Sequence, residues 1–537
     1  MNVLDCTLRD GGYYNNWDFP SDIVEAYLKA ISEANIDYVE LGLRNFPKQG
    51  FLGAYAYTTE QHLNSIELPE GPTYGVMVDA KTILNSSLDV ESAVEALFVP
   101  ASESKIGLVR IAAHFNEVES SGAIVKKLKS MGYIVGFNLM QAGGKSDDVI
   151  ADKARQAVEW EVLDVLYFAD SLGNMDGGEV ERIVSAIRRE WQGPIGIHTH
   201  NNMGKGLDNT LIAAASGVTW LDATITGMGR GAGNTQTENL LAVFDKEGSK
   251  YNPKPVYDLV IRHFEPMQKV YGWGSNLLYF LAAQNDIHPT YIQNLLSNTH
   301  YGTEEIVGAI SYLSTLEGTT AYNGSVLETA VSFKTSDSEV SGSSECIGKF
   351  EGREIVVIAN GSTSKKYRQA IELYIREKKP VVLSVNLNHH IDQSLIDFYV
   401  ISHNVKFLSD SNRYKSISKP VILPKHRFSD PELEKIKHLT KFDIGFDSTS
   451  DTLSVTSEYV RSPYDLTSAY LLGILAITKP DSVKLIGFDG YEKGDVRQQE
   501  MLNLLSQYQA LPEARQLIAL TPTSYPIRQE SVYAIHS

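Results

Sequence analysis

The sequence predicts an α/β protein whose first half is a closed barrel of eight parallel strands, each followed by a helix. Three observations favour this class. Eight short apolar runs alternate with eight helical patterns within about 245 residues. Several of these runs are almost wholly apolar, as in a parallel sheet that is buried on both faces. No glycine-rich dinucleotide turn follows the first strand, which argues against the alternative of an open doubly wound sheet.

The predicted strands and helices of the barrel follow one another with short breaks. The strands are Val3–Arg9, Tyr38–Arg44, Tyr74–Asp79, Ile106–Ala112, Ile134–Met140, Val165–Asp170, Ile195–His200 and Leu221–Thr226. The helices are Ser21–Ala34, Thr58–Ile66, Val90–Phe98, Glu117–Met131, Asp147–Glu159, Glu179–Trp191, Lys205–Ala215 and Thr237–Phe244. Ser21 is expected to cap the first helix, whose apolar residues recur on one stripe.

The remainder of the chain is expected to form three further parts. The barrel domain covers residues 1–285, and helical patterns continue through an extension over residues 286–333. A serine-rich stretch makes residues 334–349 the predicted linker. From residue 350 to 537 the alternation restarts, with strands Glu354–Ala359, Val381–Val385 and Ser482–Phe488 and helices Lys365–Glu377 and Pro463–Ile477. This last part is predicted to be a separate α/β domain.

Composition excludes several classes of protein. Lys plus Arg is 48 and Asp plus Glu is 66, a net charge of −18, so there is no basic field for nucleic acid. The two cysteines, Cys6 and Cys346, cannot build a disulfide framework or a cysteine zinc site. No apolar run approaches the ~20 residues of a membrane span, and the N-terminus lacks the pattern of a signal peptide. We therefore expect a cytoplasmic protein, and a homo-oligomer as the common state of soluble chains.

Two histidines near the end of the seventh strand predict a metal site. His198 and His200 are two residues apart, so both imidazoles lie on one face of an extended strand. Asp10 ends the first predicted strand, and a barrel brings the ends of strands one and seven to the same mouth. Asn234, in the glycine-rich loop after strand eight, can add an oxygen ligand. This donor set suits Zn, Mn, Fe or Co better than Ca.

Three motifs carry a resemblance to a known family. They are Leu-Asp-Cys-Thr-Leu-Arg-Asp-Gly-Gly over residues 4–12, His-Thr-His-Asn over residues 198–201 and Gly-Arg-Gly-Ala-Gly-Asn over residues 229–234. The N-terminal half resembles the DRE-TIM metallolyases, which include 3-hydroxy-3-methylglutaryl-CoA lyase, isopropylmalate and homocitrate synthases, 4-hydroxy-2-oxovalerate aldolase and the carboxyltransferase domain of pyruvate carboxylase. The resemblance implies a (β/α)8 TIM barrel that makes an enolate from a 2-oxo acid.

The resemblance also implies a role for each motif residue. Asp10, His198 and His200 match the metal ligands of the family, and Asn234 matches a ligand of its lyase branch. One divalent ion is therefore expected, with manganese first and magnesium, cobalt or zinc as alternatives. Arg9 matches the arginine that stabilises the enolate oxygen, where a guanidinium and a metal share the negative charge.

The loop after strand eight indicates the aldolase branch of this family. It lacks the cysteine of the CoA lyase and the Glu-Arg pair of the acyl-CoA-using synthases. A metal-dependent aldolase is therefore expected, forming or cleaving a 4-hydroxy-2-oxo acid from a pyruvate-type enolate and an aldehyde. Two alternatives stay open: Claisen-type acyl transfer from acetyl-CoA, and an inactive barrel beside a C-terminal binding domain.

One departure from the aldolase branch concerns the proton. That branch places a catalytic histidine three residues after the signature aspartate, where this chain has Tyr13, followed by Tyr14. Tyrosine is a poor base at neutral pH because its reference pKa is near 10. Either tyrosine moves the proton, or a metal-bound water does, or the acceptor differs; a purely structural role for both tyrosines is the alternative.

Polar residues near the predicted strand ends are candidates for substrate contact. An arginine at the mouth can hold a substrate carboxylate in a bidentate grip, although each of these residues can equally form a structural ion pair or hydrogen bond. The candidates are Glu40, Arg44, Arg110, Asn138, Asp170, Ser171 and Arg230.

The C-terminal domain offers a weaker pattern. Asn360, Gly361 and Ser362 form a polar turn between an apolar strand and a helix, where backbone amides can hold phosphate, and Asp489 follows a later strand. The arrangement loosely resembles a Rossmann-like domain found beside bacterial surface-polysaccharide enzymes, in sialyltransferase-like and pterin-pyrophosphokinase-like proteins. The resemblance implies a nucleotide or phosphosugar ligand and a role in surface-polysaccharide sugar biosynthesis. A docking or oligomerisation module and a second active site are the alternatives.

Overall fold

The computed structural model describes residues 1–297, 303–316, 318–323, 326–327, 340–403, 407, 410–491 and 495–534. The chain forms two compact units. The first consists of Met1–Asn294 with Gly318–Tyr322, and the second of Leu295–Glu317 with Asn323–Ser537. The predicted boundary at residue 285 falls inside the first unit. The predicted linker lies outside the described residues as far as residue 339.

The first unit contains a closed barrel of eight parallel strands in sequence order, as the sequence predicts. β1 pairs with both β2 and β8, which closes the sheet and excludes the open alternative. The strands are β1 Asn2–Asp5, β2 Tyr38–Leu43, β3 Thr73–Asp79, β4 Leu108–Ala113, β5 Ile134–Leu139, β6 Val165–Asp170, β7 Ile195–Thr199 and β8 Trp220–Ala223.

Helices follow these strands. They are α1 Thr7–Asn15, α2 Ser21–Glu33, α3 Glu60–Ser65, α4 Ala80–Leu84, α5 Val90–Leu97, α6 Val118–Ser130, α7 Asp147–Glu159, α8 Gly177–Arg188, α9 Gly206–Ala215 and α10 Thr237–Lys246. After the barrel, the chain continues with α11 Lys254–Leu259, a π-helical turn Val260–Phe264, α12 Glu265–Tyr271, α13 Leu277–Gln284 and α14 Pro289–Ser297. The predicted cap is wrong, because α2 begins at Ser21 itself and Pro20 takes the N-cap position.

The first strand is shorter in the structure than the sequence predicts. β1 ends at Asp5, and residues predicted as its second half form helix α1 instead. One reason is that the Asp5 carboxylate accepts a hydrogen bond of 2.9 Å from the backbone N–H of Thr7 and so satisfies an amide of the first helical turn. Arg9 and Asp10 therefore lie on a helix at the barrel mouth and not on a strand.

The second unit contains a parallel sheet in the order β13-β12-β11-β10-β9-β17-β18-β19. Its strands are β9 Glu354–Ile358, β10 Val381–Val385, β11 Phe398–Val400, β12 Val421–Leu423, β13 Lys441–Asp443, β17 Ser482–Ile486, β18 Leu517–Ala519 and β19 Arg528–Gln529. A smaller three-stranded sheet contains β14 Gly445–Asp447, β15 Ser454–Val455 and β16 Tyr459–Arg461. The strand order reverses between β9 and β17.

Helices and two apolar cores complete this α/β unit. Its helices are α15 Thr303–Leu313, α16 Ser362–Lys366, α17 Arg368–Lys378, α18 Ser411–Tyr414, α19 Asp430–Lys435, α20 Thr467–Thr478 and α21 Val496–Gln509. Alternate residues of β9 enter different cores, Ile355 and Val357 one and Val356 and Ile358 the other. The sheet is therefore covered on both faces, as in Rossmann-like domains. In the described part of the chain, no helix is long and apolar enough to cross a membrane.

Candidate active site

Helix α1 is fixed at the barrel mouth by buried hydrogen bonds at its start. The Asp5 carboxylate accepts the hydroxyl protons of Tyr27 at 2.5 Å and Thr237 at 2.6 Å, in addition to the N–H of Thr7. The Trp17 indole N–H donates to the backbone oxygen of Arg9 at 2.8 Å. These contacts hold the turn that carries Arg9 and Asp10.

Asp10, His198 and His200 meet at this mouth. One carboxylate or imidazole atom from each lies within 4.8 Å of the others, and all three residues are buried. The Asp10 Oδ2 atom lies 3.8 Å from His198 Nε2 and 3.9 Å from His200 Nε2. These separations leave room for one ion between the three atoms. The structure thus brings together the three residues that the sequence predicts as metal ligands.

Both imidazoles are oriented by hydrogen bonds at Nδ1, the ring nitrogen that faces away from Asp10. His198 Nδ1 lies 2.9 Å from the carboxylate of Asp222, and His200 Nδ1 lies 2.8 Å from the backbone oxygen of Asp170. Because Nδ1–H is the donor in each contact, the lone pair on each ring is at Nε2, facing Asp10. Asp222 was missed in the sequence, although a carboxylate within the apolar strand β8 is a visible signal.

Several buried polar atoms at the mouth have no hydrogen-bond partner within the described residues and so can bind a ligand. Buried polar atoms are normally hydrogen-bonded, so each exception needs an explanation. Within the described residues, those at the mouth without a partner are Arg9 Nη2, Asn138 Oδ1, Asp170 Oδ2, His200 Nε2, Arg230 Nε and Asn234 Oδ1. An imidazole nitrogen and an amide oxygen beside a carboxylate fit a divalent transition metal.

The glycine-rich loop after β8 approaches these residues closely. A Cβ at Gly229 would lie 2.6 Å from Asp10 Oδ2 and 2.4 Å from Asn234 Nδ2. The Asn234 amide donates to the Asp10 carboxylate. Only glycine leaves this space open, which explains one glycine of the motif.

Arg9 has one free donor beside the metal candidates. Its Nη1 donates to Asp10 at 2.6 Å and its Nε donates to Glu40 at 2.7 Å, while Nη2 has no partner within the described residues. Burial raises the pKa of Asp10, but the adjacent Arg9 guanidinium, with the neighbouring His198 and His200, outweighs it and holds the carboxyl well below its usual pKa. Asp10 is therefore ionised, as a metal ligand must be.

Glu40 and Arg110 lie beneath the metal candidates and not at the open mouth. Both are fully buried. Arg110 Nε and Nη2 donate to Glu40 at 2.7 and 2.8 Å, and Arg110 Nη1 donates to Asp222 at 2.6 Å. A chain of ion pairs thus runs from Arg9 through Glu40 and Arg110 to the carboxylate that orients His198. We interpret these two residues as positioning groups, in place of the predicted substrate contact.

Arg44 is turned away from this chain of ion pairs. The alternation rule places Glu40 and Arg44 on one face, but the register of β2 shifts between Glu40 and Gly42. This irregularity reverses the faces beyond it. Arg44 donates to the backbone oxygen of Leu97 at 2.6 Å and to Glu60 at 2.5 Å, on the helical side of the strand.

Asn138, Asp170 and Ser171 lie at the carboxyl ends of β5 and β6. Asn138 and Asp170 each present an unpaired buried oxygen within the described residues. Burial raises the pKa of Asp170 to about 7. The Ser171 hydroxyl accepts the backbone N–H of Gln141 at 2.9 Å. The two unpaired oxygens fit hydrogen-bond donors of a ligand better than the engaged serine does.

The two tyrosines that replace the expected histidine are poorly suited to be bases. The Tyr14 hydroxyl donates to the backbone oxygen of Gly231 at 2.6 Å. Tyr13 is partly exposed, and the Arg230 guanidinium lies over its ring at 5.4 Å. Burial raises the pKa of both phenols above the usual value. Their proton-transfer role stays a prediction that these surroundings do not favour.

A segment that follows the barrel in sequence lies across the barrel mouth. We call residues 286–293 and 318–322, which belong to the first unit, the mouth segment. Its Gln293 amide donates to the backbone oxygen of Tyr13 at 3.0 Å. The Gln141 amide donates to the Thr320 backbone oxygen at 2.7 Å, and the Asn174 amide donates to Asp286 at 2.7 Å. The segment thus contacts connections that follow β1, β5 and β6.

A second group of possible metal ligands lies deeper in the barrel. Cys6, His198 and Asp222 also offer atoms within 4.8 Å of one another. Burial raises the pKa of the Cys6 thiol well above its usual value, so it is not a thiolate. Asp222 is engaged by Arg110 and His198. This group is therefore a structural contact.

In the second unit, the predicted nucleotide residues lie where the strand order reverses. Asn360, Gly361 and Ser362 follow β9, and Asp489 follows β17. The Asp489 carboxylate accepts the hydroxyl of Ser362 at 2.9 Å and the backbone N–H of Thr363 at 3.0 Å. A carboxylate thus occupies the start of α16, so the prediction that this turn holds phosphate is not supported there.

Comparisons with known proteins match the barrel. The family model described as HMGL-like matches residues 1–259. A 4-hydroxy-2-oxovalerate aldolase of Pelotomaculum thermopropionicum is 33% identical over 256 residues, which are 46% of this chain and 71% of that protein. One of Brevibacillus brevis is 30% identical over 259 residues, 46% of this chain and 70% of that protein.

One solved structure extends the likeness past the family match. It is the N-terminal domain of a protein described as an aldolase of Bacteroides vulgatus, 32% identical, with a TM-score of 0.51. The match covers 56% of this chain and 98% of that one. The fold of the first unit therefore has a counterpart of similar extent.

Proposed function

This chain belongs to the HMGL-like family, as do 4-hydroxy-2-oxovalerate aldolases, and from that membership we propose a divalent-metal-dependent aldolase acting on a 4-hydroxy-2-oxo acid. The observation that carries the proposal is the group of Asp10, His198 and His200 beside the unpaired Nη2 of Arg9. An ion site next to a free guanidinium donor is what an enolate oxygen requires.

We propose that Asp10, His198 and His200 hold the ion and that Asn234 adds its unpaired oxygen. Manganese is our first candidate, and magnesium, cobalt and zinc share the same donors. The ion, when bound, supplies a Lewis acid for the keto oxygen of the 2-oxo acid.

The chain's own residues then perform the remaining work. Arg9 stabilises the enolate oxygen through Nη2, and its two ion pairs hold it in place before the substrate binds. Asp222 keeps His198 in the tautomer that leaves Nε2 unprotonated. Asn138 and Asp170 offer oxygens to the polar groups of the substrate. The mouth segment limits the access of water, which would protonate the enolate.

Metal analysis and isotope exchange test this proposal together. We expect about one ion per chain and exchange of pyruvate methyl protons with deuterium, followed by proton NMR, that stops when a chelator is added. Arg9→Lys is the matched variant, since lysine keeps the charge but not the forked donors. It should keep the ion and slow exchange about 100-fold. A metal-loaded protein that exchanges neither pyruvate nor a longer 2-oxo acid would refute the enolate chemistry.

We also propose that the second unit binds a nucleotide or a phosphorylated sugar at the reversal between β9 and β17. The strand order supports this, because ligands of open parallel sheets bind outside the carboxyl ends of the strands at such a reversal. Since Asp489 occupies the start of α16, we place sugar hydroxyls rather than phosphate beside it. Calorimetric titration with ATP and UDP-glucose tests this. Asp489→Ala should abolish binding and the exposed Asp451→Ala should not; absence of heat with both ligands in the wild type would contradict it.

A further inference from the structure

The mouth segment carries a buried imidazole that the proposed chemistry does not yet use. His288 is 7% exposed. Its backbone N–H donates to the Thr319 backbone oxygen at 2.9 Å, which joins residues 286–293 of the mouth segment to residues 318–322. Its ring Nδ1 accepts the backbone N–H of Thr290 at 3.3 Å. Among the described residues, its Nε2 has no hydrogen-bond partner.

The position of His288 links it to the metal candidates. The next residue, Pro289, packs on the glycine-rich loop, where a Cβ at Gly231 would lie 2.7 Å from it. Gly229 of the same loop abuts Asp10 and Asn234. His288 therefore adjoins, through Pro289, the loop that borders the metal candidates, and its ring interacts electrostatically with Arg230 and His200.

The hydrogen bond to Nδ1 decides which nitrogen carries the proton. A neutral ring that accepts at Nδ1 is protonated at Nε2, so it offers an N–H donor. Burial, together with the nearby Arg230 guanidinium, lowers the pKa of His288 to about 2. The ring is therefore neutral at physiological pH. A neutral imidazole N–H is a group that polarises a carbonyl oxygen.

We propose that His288 is a catalytic residue that binds the carbonyl oxygen of the aldehyde acceptor through its Nε2–H. The inference rests on the proposed aldolase function and adds the group that faces the second substrate. It gives this chain an acceptor-side donor in place of the histidine that is missing at position 13.

The step conserves protons and electrons. In the addition direction the enolate carbon forms a bond to the aldehyde carbon, and the carbonyl π pair moves to the aldehyde oxygen. The His288 Nε2–H hydrogen-bonds the resulting alkoxide, which takes a proton from water. That proton replaces the one that the methyl carbon released when the enolate formed. Cleavage follows the same steps in reverse.

Two half-reactions separate this role from enolate formation. Pyruvate exchange requires no aldehyde, whereas aldol formation from pyruvate with acetaldehyde, propionaldehyde or glycolaldehyde does. We expect His288→Ala to keep its metal and its exchange rate within about threefold, and to lose about 100-fold or more in aldol formation. His288→Gln, whose amide can donate a hydrogen bond, should recover part of the loss. His389→Ala, an exposed histidine of the second unit, is the matched control.

Each outcome assigns or removes the role. Aldol formation within about threefold of wild type, or exchange that falls together with it, would overturn the inference while leaving the aldolase intact. A metal-loaded wild type without exchange would refute the aldolase itself and the inference with it.

Ring-nitrogen NMR of the full chain tests the inference without turnover. We expect a protonated Nε2 at pH 7 whose proton signal shifts when acetaldehyde is added to the pyruvate-loaded protein. An unprotonated Nε2, or a signal that does not move, would overturn the proposal.

Discussion

Glu238 lies in the first turn of α10 and accepts the backbone N–H of Thr226 at 2.9 Å. Burial raises its pKa from 4.5 to about 7. Because the folded pKa exceeds the unfolded value, this group favours folding below pH 4.5 and loses that contribution as the pH rises through about 7. At pH 8 the folded state therefore bears the whole cost of a buried charge.

Replacing Glu238 by glutamine should remove this cost while keeping the acceptor for Thr226. We expect Glu238→Gln to raise the free energy of unfolding by up to about 3 kcal/mol at pH 8 and by almost nothing near pH 4. Urea unfolding at both pH values measures it. The exposed Glu247→Gln, on the same helix's end, should show no such pH dependence, and equal effects at the two pH values would count against the buried charge.

Asp222 is the residue through which the buried ion pairs reach His198. We expect Asp222→Asn to weaken metal binding about 10-fold to 100-fold, because the amide carries no charge to support the imidazole. Competition with a chelating indicator gives the affinity, and circular dichroism checks the fold. Asp208→Asn, on the exposed face of α9, should bind like the wild type. Unchanged affinity in Asp222→Asn would remove this residue from the site.

At the scale of elements, the loop after β8 depends on the absence of a side chain. A methyl group at Gly229 would overlap Asp10 and Asn234. We therefore expect Gly229→Ala to lose most of its metal and at least about 100-fold in pyruvate exchange. Gly178→Ala is the control, since its Cβ would meet only Asp176 Oδ1 at an ordinary 3.5 Å on helix α8. Normal metal content in Gly229→Ala would show that the loop can move aside.

Local patterns explain which elements the sequence predicts well. The apolar runs of the barrel strands can be recognised from a few consecutive residues. The His-x-His spacing by itself places both histidines on one face of the strand. The predicted strand and helix ends therefore lie within a few residues of the observed ones. Helix α1 is not visible in this way, because it depends on the Asp5 carboxylate and its partners Tyr27 and Thr237, which are distant in sequence.

The positions of two residues could not be predicted from these patterns, for different reasons. Arg44 follows the alternation rule until the register of β2 shifts, and no local signal marks that shift. His288 belongs to a segment that follows the barrel in sequence, so only the tertiary fold brings it to the mouth. Asp222 differs from these two, because a charged residue within the apolar strand β8 is a local signal of a buried ion pair.

At the scale of the molecule, the first compact unit is larger than the predicted barrel domain. It includes the mouth segment, whose contacts reach Tyr13, Gln141 and Asn174. A chain truncated after residue 285 should keep the ion, because its ligands remain, yet melt at least about 3 °C below one truncated after residue 322. Calorimetry of both with bound metal measures this. Equal melting temperatures would show that the mouth segment adds nothing to the stability of the barrel.

The pairing of β1 with β8 has a consequence for the order of events on the ribosome. Leu4 pairs with Asp222, so the first strand to be made waits for one that lies 222 − 4 = 218 residues later. At about 5–20 residues per second, translation leaves β1 without this neighbour for roughly 10–40 s. During that interval the nascent chain exposes an apolar strand edge, a surface that chaperones bind. Because Asp10 follows β1, we expect the complete set of proposed metal ligands, Asp10, His198 and His200, to form only after this seam closes.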